Sequence, residues 1–493
     1  GAAPITGPRL RIIATNDFHG ALEPRPDNNG TLRGGAAYVA AMVEKAKNEC
    51  APDCETLLLD GGDMFQGTLV SNLSYGRPVV DYYNRLGYAA VALGNHEFDW
   101  GVDTLRARMR GARYGIFGAN VRFADGRDVP WIRNDTIIVR GKTSIGVIGI
   151  STPETATSTL AENVKGLRFD DPAPVIDEHA RQLRARGADL VVVVAHEGGF
   201  CNRNSAGVES CTGDIFELAP RITEKVDLIV SGHTHSQLDT RVNNIPILQA
   251  RSSGTAIEVA DIPLDAAGKP AGQIEGDVRS VLTASIAPYA PVDSIVRRAV
   301  SRVAKLINQR IAATTTALNR DGSQYPLGNL IADAQRWAGH GDIAVMNNHG
   351  IRANIRAGEI TYGALFETQP FANTLYSVKM SGSQLRQYFE KIVGGDEVLV
   401  HVSGIAIGYD ASKPTGSRIV SLRLSDGRTM SDDATYDVVM NNFMATGGSG
   451  LGPPEGSRLE PLSIVDLDAL VDYLKKLKSP INAPTEPRIF IAQ

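Results

Sequence analysis

Short apolar runs, each ended at once by polar residues, recur along the first half of the chain. They cover residues 10–14, 57–59, 89–93, 190–194 and 228–230. Apolar runs of this length are typical of strands in a sheet that is covered on both faces. Helical patterns alternate with them, for example over residues 34–48, and two further strands are predicted at 144–150 and 245–249. The first half therefore predicts stacked β-α-β units.

Each of the five runs is followed directly by side chains of the types that bind metals. These polar islands cover residues 17–19, 62–63, 94–97, 195–197 and 232–235. Open α/β sheets bind ligands at the carboxyl ends of their strands, so we expect the islands to meet at one sheet edge. A lone histidine after a strand is more often a hydrogen-bonded structural residue. Five of the nine histidines lie in the islands, however, and this concentration favours a metal centre.

The islands contain enough ligand types to hold two adjacent cations. Asp63 is the candidate shared ligand, because Gly62 before it lets backbone and metal approach closely. Asp17 and His19 alternate along an extended segment, so both can point to one side. This mixture of carboxylate, imidazole and amide groups suits Zn²⁺, Mn²⁺, Fe or Co²⁺ better than Mg²⁺ or Ca²⁺ alone. The other candidate ligands are Asn95, His196, His233 and His235.

The pattern changes after residue 265. Residues 265–281 are rich in Gly, Pro and Asp, which predicts the end of a first domain. Apolar residues between 295 and 311 then recur with a period near 3.6 and predict an amphipathic connecting helix. From residue 312 a second mixed unit is expected, with strands at 343–346, 375–380 and 436–440.

Composition narrows the class of protein. A chain of 493 residues is too long for one core, so two domains are expected. Its net charge of −5 argues against a general binder of nucleic-acid polymers or anionic membranes. No apolar run approaches the roughly 18 residues that span a bilayer, so no transmembrane segment is predicted.

The four cysteines form two close pairs, Cys50 with Cys54 and Cys201 with Cys211. Local pairing in polar loops predicts two small-loop disulfides and an oxidising compartment; four free thiols are the alternative. The sequence starts at Gly1 without the charged and apolar regions of a signal peptide. We interpret it as the mature form of a secreted, periplasmic or cell-surface protein.

Four motifs resemble those of the dimetal calcineurin-like phosphoesterases, and their order resembles the 5′-nucleotidase family within that group. They read NDFHG at 16–20, GGD at 61–63, GNHEFD at 94–99 and GHTH at 232–235. The resemblance implies an α/β protein, α+β overall. It implies a four-layer phosphoesterase domain at residues 1–285, a linker helix or hinge at 286–311 and a mixed α/β substrate-binding domain at 312–493.

The resemblance also implies the metal ligands and the reaction. Two divalent cations are expected, with Zn²⁺ or Mn²⁺ favoured and Fe or Co²⁺ also compatible. A hydroxide bridging them would attack the phosphorus of a nucleoside 5′-monophosphate in line and release nucleoside and phosphate. One cation would be held by Asp17, His19, Asp63 and His235, and the other by Asp63, Asn95, His196 and His233.

His96 is the candidate catalytic side chain. It directly follows Asn95, so it lies close to the metals without needing to bind one. Asp99, three residues later, could hydrogen-bond to its ring and favour the imidazolium. The resemblance implies that this pair stabilises the transition state. The alternative is a supporting His96 and a helix-capping Asp99.

In the second half, Phe371 and Phe443 could sandwich a planar base, and Asn347 and Arg352 could bind substrate oxygens. Core packing and a surface ion pair are the alternatives. In the family these positions bind the nucleoside. The family usually has an Asp after Gly447-Gly448 that holds the ribose hydroxyls, but this chain has Ser449. This departure leaves the choice between 5′-, 3′- and cyclic nucleotides open. The family's other substrate arginine has no clear match.

Other functions share these motifs. The chain could be a 2′,3′-cyclic-nucleotide 2′-phosphodiesterase with 3′-nucleotidase activity, or a nucleotide-sugar pyrophosphatase. An exported nucleotide-binding receptor is the non-enzymatic alternative. Metals in one domain and a base clamp in the other predict closure of the domains during catalysis. The sequence leaves the oligomeric state and a lost lipid or wall anchor open.

Overall fold

A computed structural model of the chain describes residues 7–27, 29–203 and 209–492. The chain is a mixed α/β protein that divides into two compact units, Gly1–Arg302 and Val303–Gln493. The division lies within helix Ala290–Ile307. This is the amphipathic helix that the sequence predicts. Its predicted extension from Ile307 to residue 311 is wrong, because strand Arg310–Thr314 begins there.

Two six-stranded sheets form the first unit. In spatial order, the first sheet consists of Glu275–Ser280, Ala256–Pro263, Arg9–Thr15, Cys54–Asp60, Ala90–Ala92 and Gly115–Phe117. The second consists of Gln237–Val242, Ile245–Ala250, Leu228–Val230, Leu190–Ala195, Thr143–Ile150 and Asp135–Arg140. In each sheet the four strands that carry or neighbour the polar islands are parallel to one another.

The two sheets pack face to face. Leu57 and Leu59 of the first sheet share one core with Val192, Val194 and other residues of the second. Helix Ala36–Cys50 packs on the first sheet and helix Pro172–Ala185 on the second. The four-layer arrangement implied by the resemblance is therefore confirmed. The expectation that all islands follow strands of one sheet is wrong, since they come from two.

The remaining elements of the first unit connect and flank the sheets. Strand Glu275–Ser280 pairs with Ala256–Pro263, so the Gly-, Pro- and Asp-rich stretch at residues 265–281 contains an edge strand of the first sheet. Both predicted disulfides, Cys50–Cys54 and Cys201–Cys211, are formed. The other helices are Leu69–Asn72, Arg77–Leu86, Gly101–Gly111, Thr155–Ser158 and Asp214–Leu218. Three strand pairs are Arg25–Pro26 with Leu32–Arg33, Val121–Phe123 with Leu167–Phe169, and Phe200–Arg203 with Glu209–Thr212.

The second unit is built on a five-stranded sheet. In spatial order its strands are Val400–Ser403, Ile343–Asn347, Thr435–Asn441, Thr374–Ser381 and Arg458–Val465. A three-stranded sheet of Ile419–Leu424, Ile405–Tyr409 and Ile489–Ile491 and a pair of Arg310–Thr314 with Gly358–Thr361 complete it. Its helices are Pro326–Gly339, Tyr362–Thr368, Gly382–Ile392, Asn442–Ala445 and Asp466–Lys476.

No helix within residues 7–27, 29–203 or 209–492 combines the length and the hydrophobicity needed to span a bilayer.

Candidate functional site

The polar islands meet where the strands of the two stacked sheets end. Strands Arg9–Thr15, Cys54–Asp60 and Ala90–Ala92 of the first sheet precede three islands, and strands Leu190–Ala195 and Leu228–Val230 of the second precede the other two. Because these strands run parallel within each sheet, their carboxyl ends present the islands on a common rim.

Most of the candidate ligands have an unusual backbone conformation. Asp17, His19, Asp63, His233 and His235 have φ angles of 48°, 51°, 58°, 75° and 57°. Non-glycine residues rarely adopt this left-handed region, and they do so mainly where the surrounding structure forces them. Here the loops are bonded to each other, since Asp17 N–H donates to Gly62 O and His19 N–H to Asp63 O. The backbone thus holds the ligand side chains in place.

A first group of ligand atoms contains Asp17, His19 and His235. One nitrogen or carboxylate oxygen from each lies within 4.8 Å of the others. His19 Nε2 is 3.0 Å from His235 Nε2, and His235 Nε2 is 3.4 Å from Asp17 Oδ1. The two imidazole nitrogens and the carboxylate oxygen are close enough to one another to bind one cation.

A second group is formed around Asp63. Its Oδ2 lies 3.1 Å from His196 Nε2 and 3.7 Å from His19 Nε2, so one oxygen faces both groups. His196 Nε2 is also 3.0 Å from Asn95 Oδ1. Asp17 belongs to this group as well, with Asp63 and His196. The position of Asp63 is that of a ligand shared by two cations.

The imidazole tautomers fit metal binding. His19 Nδ1 lies 2.9 Å from Gln66 O and His196 Nδ1 lies 2.8 Å from Gly61 O. A carbonyl oxygen can only accept, so each Nδ1 carries the hydrogen and each Nε2 lone pair points into the site. Carbonyl or carboxylate partners of this kind orient metal-binding histidines in general. The residues present therefore fit two divalent cations.

Electrostatics point the same way. Burial raises the pKa of Asp17, but the hydrogen bond and charge of His235 outweigh it and hold this pKa at about 2. Burial likewise opposes ionisation of Asp63, whose pKa is nevertheless held well below its usual range by His196 and His96. Burial lowers the pKa of His196, but Asp63 raises it to about 10. A cation would take the place of these shared protons.

His233 differs from the other candidate ligands. Its ring lies 5.0 Å from that of His196, and its backbone N–H donates to Asp17 Oδ2 at 2.9 Å. Its Nε2, however, lies 2.8 Å from Glu154 Oε2, outside both ligand groups. Only Nδ1 of His233 is then left to bind a cation. Sequence analysis overlooked Glu154, which follows strand Thr143–Ile150 at the same rim.

His96 lies beside the ligand groups and outside both. Its ring is 5.3 Å from that of His19, and its Nδ1 is 2.7 Å from Asp99 Oδ2. Asp99 is held in turn, because its Oδ1 accepts from the Thr159 hydroxyl and its carbonyl oxygen from Asn163 Nδ2. With Nδ1 directed at a carboxylate, Nε2 is the ring nitrogen available to a substrate.

Glu97 supports the loops, a role that sequence analysis did not assign. Its carboxylate accepts the backbone N–H groups of Asp63, Met64 and Gly94 at 2.7–2.9 Å. Burial and the charge of Asp63 raise its pKa to about 8. Its position inside the GNHEFD motif was the available signal. Asn16 acts similarly, donating from Nδ2 to Asp17 Oδ2.

In the second unit, the predicted nucleoside-binding residues come to one edge of the five-stranded sheet. Asn347 ends strand Ile343–Asn347, and Phe443 follows the parallel strand Thr435–Asn441. Phe371 precedes the antiparallel strand Thr374–Ser381, which begins at that same edge. Asn441 Nδ2 donates to Asn347 Oδ1 at 2.9 Å, which confirms that the two strand ends are close.

The individual side chains suit a binding role. The Arg352 guanidinium lies 5.7 Å from the centre of the Phe371 ring, and both aromatic candidates are partly exposed. The Phe443 ring lies against Gly448, where a Cβ would come within 2.5 Å of it. Ser449 is exposed, with a φ of 50°.

Arg320 is a further cation that sequence analysis missed. Its Nη1 donates to Ile351 O at 2.9 Å and its Nε to Asn354 Oδ1 at 3.2 Å. Its pKa is lowered because protein atoms displace water from it and because Arg352 adds a like charge. Two guanidinium groups held near each other are arranged to receive an anion.

Known protein domains match both the segment that carries the metal-ligand groups and the segment that carries the nucleoside-binding candidates. Residues 10–237 match the calcineurin-like phosphoesterases, and residues 302–453 match the 5′-nucleotidase C-terminal domain. The chain therefore carries a calcineurin-like phosphoesterase domain followed by a 5′-nucleotidase C-terminal domain. The crystal structure of a 5′-nucleotidase precursor from Thermus thermophilus superimposes with a TM-score of 0.86 at 28% identity, over 98% of this chain and 100% of that one.

Individual relatives match nearly the whole chain. A snake venom 5′-nucleotidase from Naja atra is 29% identical over 98% of this chain and 99% of its own length. Endonuclease YhcR of Bacillus subtilis (strain 168) is 30% identical over 98% of this chain, which spans only 41% of that relative. These matches support a metal-dependent phosphoester hydrolase. The phosphoesterase domain implies divalent metal ions, and the 5′-nucleotidase C-terminal domain implies a nucleotide substrate.

Glu154 provides a first test of the metal centre. Replacing Glu154 by alanine will remove the acceptor at His233 Nε2 and weaken divalent metal binding about 10–100-fold, the usual effect of losing such a partner. Glu154→Gln retains an acceptor and should lose less. The measurement is metal retained against a competing chelator. Glu162→Ala, an exposed carboxylate of the same unit, is the control. Equal metal affinity in Glu154→Ala and Glu162→Ala would contradict the assignment.

Proposed function

We propose that this chain hydrolyses nucleoside 5′-monophosphates to nucleoside and phosphate. The observation that carries the proposal is the single oxygen Asp63 Oδ2, which faces His19 on one side and His196 on the other. A carboxylate placed between two ligand groups, with the His96–Asp99 pair beside them, is suited to a phosphomonoester.

The metal-binding side chains divide into two sets in this proposal. Asp17, His19, Asp63 and His235 would hold one divalent cation, and Asn95, His196 and Nδ1 of His233 would hold the other with Asp63. Two such cations activate water and offset charge on the phosphate oxygens. Zn²⁺ or Mn²⁺ is favoured, with Fe or Co²⁺ also compatible, because the ligands mix imidazole nitrogen with oxygen.

His96 would act on the substrate through Nε2. Asp99 accepts from Nδ1 at 2.7 Å and favours the imidazolium, whose Nε2–H can donate to a phosphoryl oxygen or to the leaving ester oxygen. Burial of both side chains keeps water from competing for these bonds.

The second unit would bind the nucleoside. Phe371 and Phe443 are proposed to stack on the base, while Asn347, Arg352 and Ser449 bind polar groups. The supporting observation is that the segments carrying these residues start or end at one sheet edge. We propose the division into a catalytic domain at 1–285, a hinge at 286–311 and a substrate domain at 312–493. We also propose a secreted, periplasmic or cell-surface location, which the two local disulfides support.

A second candidate is cleavage of a phosphodiester, such as a 2′,3′-cyclic nucleotide. Ser449 favours it, because a serine holds a ribose diol less firmly than the aspartate that the family usually has there. One relative is named an endonuclease, although the chain spans less than half of that protein.

The deciding experiment is chromatographic analysis of the products, together with phosphate release, across a substrate panel, because opening a cyclic nucleotide or splitting a nucleotide sugar releases no free phosphate. AMP, dAMP, 3′-AMP, 2′,3′-cyclic AMP and UDP-glucose are supplied to protein that has been chelated and then restored with one metal at a time. We expect the highest kcat/KM with AMP. Cleavage of the cyclic nucleotide without AMP hydrolysis would establish the second candidate. Tight AMP binding with no phosphate released would instead indicate a receptor.

Ser449 can be tested directly. Ser449→Asp should raise the AMP to dAMP ratio of kcat/KM about 10-fold, since a hydrogen bond to a charged group contributes roughly 1.5–3 kcal/mol. The aspartate would accept from the 2′-hydroxyl that dAMP lacks. Ser417→Asp, at an exposed serine of the same unit, controls for added charge. An unchanged ratio would mean that residue 449 does not face the ribose.

A further inference from the structure

A cavity of about 320 Å³ lies outside the catalytic rim in the first unit. Its wall carries Arg106 and Arg110 from helix Gly101–Gly111, and Arg133 and Trp131 from the segment before strand Asp135–Arg140. None of its lining residues belongs to a polar island, and none is acidic. It is therefore a separate, cationic site.

The three arginines are exposed to solvent. Among the residues that the structure describes, none of Arg106, Arg110 and Arg133 is in a salt bridge, whereas other arginines of this unit are. Arg106 and Arg110 are one helical turn apart and so face the same way. The backbone of Arg133 is held by Gly118, whose N–H donates to the Arg133 carbonyl oxygen at 2.9 Å, and the residue lines the same cavity as the other two arginines.

Positive charge accumulates further around this wall. The pKa of Arg108 is lowered because it is partly desolvated and because Arg77 and Arg110 lie close to it, although Asp81 acts in the opposite direction. Its Nε is buried and has no hydrogen-bond partner. The wall of the cavity is therefore positively charged on a protein with a net charge of −5, and it attracts anions.

Stabilisation by the helix dipole explains only part of this arginine cluster. Arg108 and Arg110 occupy the last turn of helix Gly101–Gly111, where cations offset the helix dipole. That dipole amounts to about half an elementary charge. It cannot balance several guanidinium groups, and it gives no reason for Arg133 or for the position of Arg106.

Trp131 fixes the geometry of one cation. The Arg106 guanidinium carbon lies 5.9 Å from the indole centre, over one face of the ring. The indole thus orients a hydrogen-bond donor at the cavity wall. Planar guanidinium groups bind the oxygens of phosphate in pairs.

We propose that this cavity binds a phosphate group, either free inorganic phosphate or the phosphate of a nucleotide. Both present the same tetrahedral dianion, and the cavity volume accommodates either. Free phosphate is also the product of the proposed reaction, but the binding site stands on its own residues and does not depend on that reaction.

The three tryptophans of the chain provide a site-specific test. Full-length holoenzyme labelled with 5-fluorotryptophan gives ¹⁹F signals for Trp100, Trp131 and Trp337, assigned by single Phe replacements. Phosphate is titrated at constant ionic strength. Parallel titrations use adenosine and an AMP phosphonate whose methylene group blocks hydrolysis. We expect a saturable shift of Trp131 with phosphate or the phosphonate and none with adenosine.

Arg110→Gln with Arg133→Gln is the test variant, because it leaves the Arg106–Trp131 contact in place. It should raise the phosphate concentration at which the Trp131 shift is half-saturated about 10-fold or more, since hydrogen bonds to charged groups are lost. Arg85→Gln with Arg302→Gln removes the same charge at exposed arginines elsewhere and should behave as wild type.

Free phosphate and nucleotide are distinguished by comparing the concentrations of phosphate and of the phosphonate that half-saturate the Trp131 shift. Equal values show a site for phosphate itself, and a much lower value for the phosphonate shows one for nucleotides. A Trp131 signal that no phosphate ligand shifts, or one that saturates equally in both double variants, overturns the proposal. The Trp100 signal, next to Asp99, reports the catalytic centre separately.

Discussion

Asparagine at position 63 will leave a folded protein with almost no hydrolytic activity. The replacement keeps the shape of the side chain but removes its charge. Asp63 Oδ2 faces both His196 Nε2 at 3.1 Å and His19 Nε2 at 3.7 Å, so both cations would lose a ligand in one step. We expect kcat/KM for AMP to fall by about 10⁴-fold or more, which corresponds to roughly 5 kcal/mol of transition-state stabilisation.

The measurement for Asp63→Asn combines phosphate release with elemental analysis of the purified protein. Metal content should fall together with activity, while the thermal unfolding transition stays cooperative. Asp135→Asn is the matched control, because Asp135 is also a carboxylate bonded to a histidine, His179, at 2.6 Å. It should leave activity near wild type. An Asp63→Asn protein with full metal content and a tenth of the activity would show that no cation depends on Asp63.

Strands of apolar composition could be predicted from the sequence. Polar edge strands, which form only because they pair with an adjacent strand, could not. Run 190–194 can be recognised as a strand from its sequence, because a strand that is buried on both faces is apolar at every position. Strand Glu275–Ser280 is an edge strand with largely polar residues, so nothing in its composition marks it. Helix Ala290–Ile307 ends where the chain enters strand Arg310–Thr314, although the apolar period continues to Ile311.

The sequence also could not say that two sheets share the rim. Strand length and burial are the same whether strands lie in one sheet or in two stacked sheets. The order of pairing depends on long-range contacts, such as Ala260 opposite Ile12. Both arrangements bring the carboxyl ends of the strands together, so the metal site was predicted in spite of the wrong sheet count.

Within the candidate site, residues in contiguous motifs were found and their distant supports were not. Glu154 reaches His233 from 79 positions away, and no local pattern marks it. Arg320 likewise becomes a candidate only through its closeness to Arg352 in space. Such supports need a structure, because their role is defined by what they touch.

Alanine at position 96 will lower kcat for AMP by about 10²–10⁴-fold, the range expected for one acid–base group, and will leave metal content unchanged. The structure separates the two roles of this residue. The backbone N–H of His96 donates to Asp63 Oδ1 at 2.9 Å, and alanine retains that bond. The replacement removes only the imidazole ring and its hydrogen bond to Asp99. That ring belongs to neither group of metal-ligand atoms.

His179→Ala is the control for removing a buried imidazole, since His179 is bonded to Asp135 in the same unit and lies outside the polar islands. It should lower thermal stability and leave kcat nearly unchanged. Asp99→Asn should weaken catalysis less than His96→Ala, because the ring remains and only its orientation and charge preference are reduced. Elemental analysis decides the outcome. If metal is lost together with the His96 ring, the residue supports the ligand shell, and the proton donor must be another group.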